Sequence, residues 1–254
     1  MEIQKAIQTI MTGQDLSKEE IISVMNQILK GSASETQIGT FLTSLSMKGE
    51  SIDEVIGSAQ VLRELSSKVI VDKQNLVDTC GTGGVGSGIF NVSTTAAFVA
   101  SSCGAKVAKH GNKAVSSKCG SGDVLEKLNI KINLEPNQVE ESIDKVNFGF
   151  MFAPNYHSAM KYVAPIRKKI GKRTIFNILG PLLSPVECKK QIIGVYDPSI
   201  LVKVAEVLKK LETDFAWVVS GDKEYDELTT TGKNYIAEIK NNTIKEFEID
   251  TNEF

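Results

Sequence analysis

The chain has 254 residues, 41% hydrophobic and 24% charged, enough apolar material for one large domain or two small ones. A formal net charge of −2 gives no overall attraction to nucleic acid or to a membrane surface, and no run approaches the ~20 apolar residues of a membrane span. Four scattered cysteines (Cys80, Cys103, Cys119, Cys188) without a CxxC pair point to reduced thiols in a cytoplasmic protein, and two histidines argue against a zinc site.

The start, MEIQKAIQTIMTG, lacks the basic segment and long apolar run of a signal peptide. Three capping boxes then follow one another: Ser17 with Glu20, Ser34 with Gln37, and Ser51 with Glu54. Each precedes apolar residues at helical spacing. The first stripe is Ile21, Val24, Met25, Ile28 and Leu29; the second is Ile38, Phe41, Leu42 and Leu45; the third is Val55, Ile56, Ala59, Leu62 and Leu65. Gly31 and Gly49 are suitable stops. The first third is therefore predicted to be a helical bundle.

Beyond residue 67 short apolar runs alternate with amphipathic stretches. Strands are predicted at Leu76–Asp78, Lys106–Lys109, Phe148–Phe152, Gln191–Tyr196 and Phe215–Ser220, with helices from Ser93, near Asp123 and from Pro198. This alternation predicts an α/β domain with a mainly parallel, doubly wound sheet. Tyr235–Ile239 and Ile244–Ile249 flank Asn241-Asn242, which reads as an antiparallel hairpin.

The strongest chemical signal is the segment DTCGTGGVGSGIFNVST, from Asp78 to Thr94. A strand feeds a loop of five glycines and then a helix that starts with hydroxyl side chains. Glycines let backbone N–H groups close on an anion, and a helix N-terminus adds donors and a positive dipole end. The loop lacks both a Walker GK[ST] ending and a GxGxxG fingerprint followed by an acid. The next strand ends in Lys109-His110-Gly111-Asn112-Lys113, which places a cation, an imidazole and an amide beside that loop. Ser116-Ser117-Lys118-Cys119-Gly120-Ser121-Gly122-Asp123 is a further hydroxyl-rich helix entry.

Taken with FAPxxHxA from Phe152, RxxxGxRT from Arg167 and FNILGPL from Phe176, these motifs resemble in order and spacing the anthranilate phosphoribosyltransferases, over essentially the whole chain. The resemblance implies a helical domain, residues 1–66 joined by the stretch 156–172, hinged to an α/β domain, residues 67–254. It implies a homodimer through the helical domain, Mg²⁺ as cofactor, phosphoribosyl pyrophosphate as donor, anthranilate as acceptor and a place in tryptophan biosynthesis. Partners are thus small molecules, with neither nucleic acid nor membrane.

By the same resemblance Gly81, Thr82, Gly83, Gly84, Asn91, Ser93, Thr94, Lys109 and Ser121 bind the donor. Gly81, Asn112, Ala153, His157, Arg167 and Pro181 take the anthranilate; Ser93, Asp226 and Glu227 hold metal; and Lys109 and His110 carry catalytic roles. The sequence departs from the family at Val85 (usually Asp), Ile89 (usually Thr) and Lys113 (usually Arg). Family members also continue for roughly another third of this length, so apolar surface is expected on one sheet face. Two other readings stay open: a pyrimidine nucleoside phosphorylase, which KHGN and FNILGPL disfavour, and a catalytically weak relative that binds nucleotide or nucleic acid.

Overall fold

The computed structural model describes residues 1–72, 75–83, 90–114, 119–186, 188–222 and 225–253. The chain divides into two compact units: Met1–Ser66 with His157–Leu183, and Ser67–Tyr156 with Ser184–Phe254.

The first unit is helical, with α1 (Ile3–Met11), α2 (Lys18–Leu29), α3 (Glu35–Lys48) and α4 (Ile52–Glu64). All three predicted capping boxes form, with Ser17, Ser34 and Ser51 accepting from the backbone N–H three residues on. Their apolar stripes are buried except Leu65, which caps α4 and is exposed. Glu54 does more than cap. Its carboxylate, fully buried, accepts from Ser51 N at 2.7 Å, Leu16 N at 2.9 Å and Lys48 Nζ at 2.9 Å, so one acid ties three segments. Gly57 lets α2 lie close on α4: a Cβ there would stand 2.4 Å from Ile21 Cγ2 and 2.9 Å from Lys18 O.

The second unit is a seven-stranded sheet in the order β3-β2-β1-β4-β5-β6-β7. The strands are β1 (Leu76–Gly81), β2 (Lys106–Gly111), β3 (Phe148–Phe152), β4 (Lys190–Gly194), β5 (Phe215–Gly221), β6 (Lys233–Lys240) and β7 (Thr243–Asp250). The first five are parallel; β6 and β7 run antiparallel. Asn241 and Asn242 both have positive φ, 50° and 57°, which a tight hairpin of the right twist requires. Helices α5 (Val92–Ser102), α6 (Ser121–Lys127), α7 (Pro136–Val146) and the short α8 (Ala153–Tyr156) follow β1, β2 and β3 in the expected alternation. Adjacent β2 residues enter different cores: Val107 packs with Ala97, Leu125 and Phe148, and Ala108 with Val139, Ile143 and Met151. The sheet is therefore covered on both faces around β1 to β3, as doubly wound winding demands. The chain re-enters the first unit for α9 (Ala164–Ile170) and α10 (Ile175–Leu179), and α11 (Leu201–Lys210) packs beside β5 and β6. Among the apolar sheet side chains Ile192, in the middle of β4, stands 43% exposed.

Candidate functional site

Strand order reverses between β1 and β4. From β1 the chain winds outward to β2 and β3, then returns to lay β4 on the other side of β1. Crevices in open parallel sheets form at the carboxyl ends of strands at such a switch point. Here four of the parallel strands end on glycine: Gly81, Gly111, Gly194 and Gly221. Gly81 and Gly194 are paired across the switch point. A Cβ on Gly81 would meet Asp226 Oδ2 at 2.4 Å, and one on Gly194 would meet Asp226 O at 1.7 Å. Only hydrogen at both positions lets the 225–229 segment lie on the strand ends.

That docking brings the acidic pair to the predicted anion cradle. Gly83, at φ +66°, donates its N–H to Asp226 Oδ2 at 2.7 Å. Ser93, in the first turn of α5, donates its N–H to Glu227 Oε1 at 3.2 Å. Backbone donors of the glycine loop and of the helix start thus already hold carboxyl oxygens. Burial and then the neighbouring Asp226 push the Glu227 carboxyl up to about 7. Gly84, Val85 and Ile89 lie outside the described residues.

Other cradle residues hold one another. Thr82 is buried; its N–H donates to Gly194 O at 2.9 Å and its hydroxyl accepts from Tyr196 N at 3.1 Å. Asn91 Oδ1 accepts from the buried Thr94 hydroxyl at 2.7 Å, and Asn91 Nδ2 donates to Cys119 O at 3.3 Å. Ser121 donates its hydroxyl to Asn112 O at 3.2 Å above Gly111, where a Cβ would come within 2.2 Å of the Ser121 hydroxyl oxygen. Asn112 is exposed and accepts from Lys113 N at 2.8 Å. Ala153 opens α8 at the end of β3.

Lys109 sits in β2 beside the cradle. It is 2% exposed, and its ammonium donates to Thr79 O at 2.6 Å, Thr79 Oγ1 at 3.4 Å and Ser93 Oγ at 3.2 Å. The backbone N–H of His110, whose side chain is also buried, approaches Asp78 Oδ1 at 3.4 Å. Asp78, 1% exposed, has its carboxyl pushed up to about 6 by burial, with the Lys109 charge opposing. Sequence reasoning quoted Asp78 and Thr79 at the head of the glycine-loop segment without giving them a role, and missed Gly194.

The helical unit carries the rest. His157 is buried, with Nε2 3.0 Å from Leu183 O. Arg167 lies in the last turn of α9, its guanidinium 5.4 Å above the Phe176 ring, and burial lowers its pKa. Pro181 is buried in a single 3₁₀ turn after α10.

Among the described residues no cluster of three or more His, Cys, Asp or Glu side chains could cage a metal. Two adjacent carboxylates suit Mg²⁺, which commonly takes one or two carboxylates together with substrate phosphates and waters. The Asp226–Glu227 pair fits a metal shared with a phosphorylated ligand. Ser93 fits less well, because its oxygen already accepts from a cation.

A two-part glycosyl transferase is the class that this fold defines: a helical bundle family model described as "Glycosyl transferase family, helical bundle domain" matches residues 4–66, and one described as "Glycosyl transferase family, a/b domain" matches residues 73–254. The anthranilate phosphoribosyltransferase of Pelagibacter ubique is 54% identical over 237 residues, 93% of this chain and 71% of the relative. The crystal structure of the anthranilate phosphoribosyltransferase of Thermus thermophilus superposes with a TM-score of 0.90 at 38% identity, covering 98% of this chain and 74% of that one. The Saccharomyces cerevisiae enzyme in complex with PRPP and Mg gives 0.87 at 28% identity, covering 98% and 72%; it is also known in complex with 4-fluoroanthranilate. The chain belongs to the anthranilate phosphoribosyltransferases.

Proposed function

We propose that the chain transfers the 5-phosphoribosyl group of phosphoribosyl pyrophosphate to the amine of anthranilate, a step of tryptophan biosynthesis in the cytoplasm. The observation that carries this reading is the switch-point cradle, where the Gly83 and Ser93 amides hold the carboxyl oxygens of Asp226 and Glu227, an acidic pair suited to Mg²⁺. In the reaction the bond from ribose C1 to pyrophosphate breaks, a C1–N bond forms, and the amine's surplus proton passes to water or to the departing pyrophosphate. Negative charge grows on the leaving group and positive charge on the ribose ring.

The Ser93 hydroxyl binds the leaving phosphates, and the amides of Gly83 and Ser93 and the Ser121 hydroxyl join it on exchanging their present partners, Asp226, Glu227 and Asn112 O, for phosphate oxygens. A charge-assisted bond of this kind contributes about 1.5–3 kcal/mol. Asp226 and Glu227 would hold Mg²⁺, which would supply further neutralisation of phosphate charge. The aromatic amine is a neutral nucleophile, so no strong base is needed and positioning supplies much of the remainder. Arg167, with its fork on the Phe176 face, suits the anthranilate carboxylate; Asn112, Ala153, His157 and Pro181 complete the acceptor set. A homodimer through the helical unit belongs to the same reading, supported by Met11 and Met47, which stand 70% and 84% exposed there. Free Cys80, Cys103, Cys119 and Cys188 agree with a reducing compartment.

Thermal unfolding tests the donor assignment. Ligand that binds only the folded form stabilises it by about 2.7 kcal/mol at 100-fold over Kd. The midpoint is expected to rise with phosphoribosyl pyrophosphate plus Mg²⁺; a midpoint indifferent to saturating donor contradicts the reading.

A further inference from the structure

We infer that Asn234, near the start of β6, is a positioning residue for the acidic pair: it fastens the segment that carries Asp226 and Glu227, and so sets their grip on Mg²⁺ without touching metal or donor. The inference rests on the proposed metal and donor site. Between Tyr225 and Gly232 the chain forms neither helix nor strand, apart from one bridge at Tyr225. Such a segment takes its shape from the bonds that hold its ends. The first end is tied by main chain, since Gly221 donates its N–H to Tyr225 O at 2.8 Å. The far end is tied by one side chain. The Asn234 amide accepts from Thr229 N at 2.7 Å and donates to Thr229 O at 3.0 Å, as the backbone of a neighbouring strand would. The Thr229 hydroxyl donates to Thr231 O at 2.7 Å and approaches Asn234 Oδ1 at 3.3 Å. Asn234 is buried, so its amide is committed to these groups and not to bulk water.

Gly221 and Asn234 are register partners across β5 and β6, so both ties are anchored on one rung of the sheet. The segment lies close against that rung: a Cβ on Gly221 would stand 2.5 Å from Glu227 O and 2.6 Å from Thr229 Cγ2. Asp226 and Glu227 sit between the two ties, with their carboxyl oxygens on the Gly83 and Ser93 amides. Two carboxyls that share a cation must keep a fixed spacing, and their main chain has no helix or strand of its own to supply it. Groups that orient metal ligands in this way commonly change metal affinity about 10–100-fold when removed. Asn234 thereby belongs to the metal site although it lies on a different strand and carries no charge.

A Mg²⁺ titration separates positioning of the pair from a general structural role. The binding of phosphoribosyl pyrophosphate is measured by calorimetry at rising Mg²⁺ for the native chain and for Asn234→Leu, which keeps the volume and removes both bonds. The variant is expected to need about tenfold more Mg²⁺ for half-maximal donor affinity, and to regain the native affinity once Mg²⁺ saturates. A lowered plateau with an unshifted Mg²⁺ midpoint overturns the inference, and so does a titration indistinguishable from the native one. Because a buried Leu facing two main-chain polar groups risks the fold, Asn234→Ser supplies a milder arm. Its hydroxyl can serve one of the two Thr229 groups, so its midpoint should shift several-fold in the same direction with the plateau kept; an unshifted midpoint there overturns the inference too. Thr229→Val removes the hydroxyl and leaves the main-chain pair, and its midpoint should stay within about twofold of native. A shift as large as that of Asn234→Leu would overturn the main-chain tie. A native chain that takes up no donor at any Mg²⁺ concentration overturns the underlying reading of the site, a result distinct from an unshifted midpoint in a chain that binds.

Discussion

Asp226 holds an amide that a phosphate oxygen would also seek. With no metal, its charge repels an incoming diphosphate; with metal, the same charge recruits it. Asp226→Asn is therefore expected to change binding with opposite signs, about tenfold tighter for pyrophosphate in chelator and weaker in Mg²⁺, on the Coulomb scale of a surface-near pair. Calorimetry with and without Mg²⁺ checks this, and losses of the same sign in both would contradict it. Asp78 makes a pH-dependent contribution. Its carboxyl sits at about 6 in the fold against an ordinary 3.8. The folded state thus keeps a proton that the unfolded chain has released, and stability falls as pH rises through this window. Asp78→Asn should flatten the unfolding profile between pH ~4 and ~6 by on the order of 2 kcal/mol. A variant that instead loses stability mainly above pH ~6 would mean that the charged form is required. Residue types at the site were legible in the sequence because glycines, hydroxyls and acids cluster in it. The partner of each was not: that the Lys109 ammonium meets Thr79 and Ser93 depends on how β2 lies beside β1 and the start of α5, which spacing does not encode.

At the scale of elements, legibility followed local chemistry. The capping boxes at Ser17, Ser34 and Ser51 located helix starts to the residue, since a cap is a bond between neighbours in the chain. Phe148–Phe152 was likewise bounded as it occurs. Strands β1 and β2 ran past their expected ends to Gly81 and Gly111, because ladder bonds to β4 and β3 override glycine's weak strand preference. Helix α7 was missed, although Pro136 marks its first turn, because its buried face is only Val139 and Ile143. Close approach of elements was invisible in sequence, and Gly57 shows the cost of ignoring it. Alanine is the better helix former by about 1 kcal/mol, yet its Cβ would meet Lys18 O, a backbone atom that cannot rotate away. Gly57→Ala is expected to destabilise the helical unit by about 1–3 kcal/mol. Chemical denaturation reads this directly, and a stabilised variant would show that α2 yields easily.

For the molecule as a whole, two units with separate cores divide the assigned residues: cradle and acidic pair on the sheet, Arg167, His157 and Pro181 on the helical unit. Alternation of strands and helices made the sheet's parallel character readable, but the position of β4 beside β1 is a matter of topology. That placement creates the switch point and brings Asp226, 143 residues along the chain from Gly83, onto its amide. The central claim is that this arrangement serves phosphoribosyl transfer to an aromatic amine. The most direct measurement incubates the chain with phosphoribosyl pyrophosphate, anthranilate and Mg²⁺ and follows both products. Equimolar N-(5-phosphoribosyl)anthranilate and pyrophosphate, formed only with Mg²⁺, is the expected result. Anthranilate left unconsumed while thymidine is split by inorganic phosphate would contradict the account.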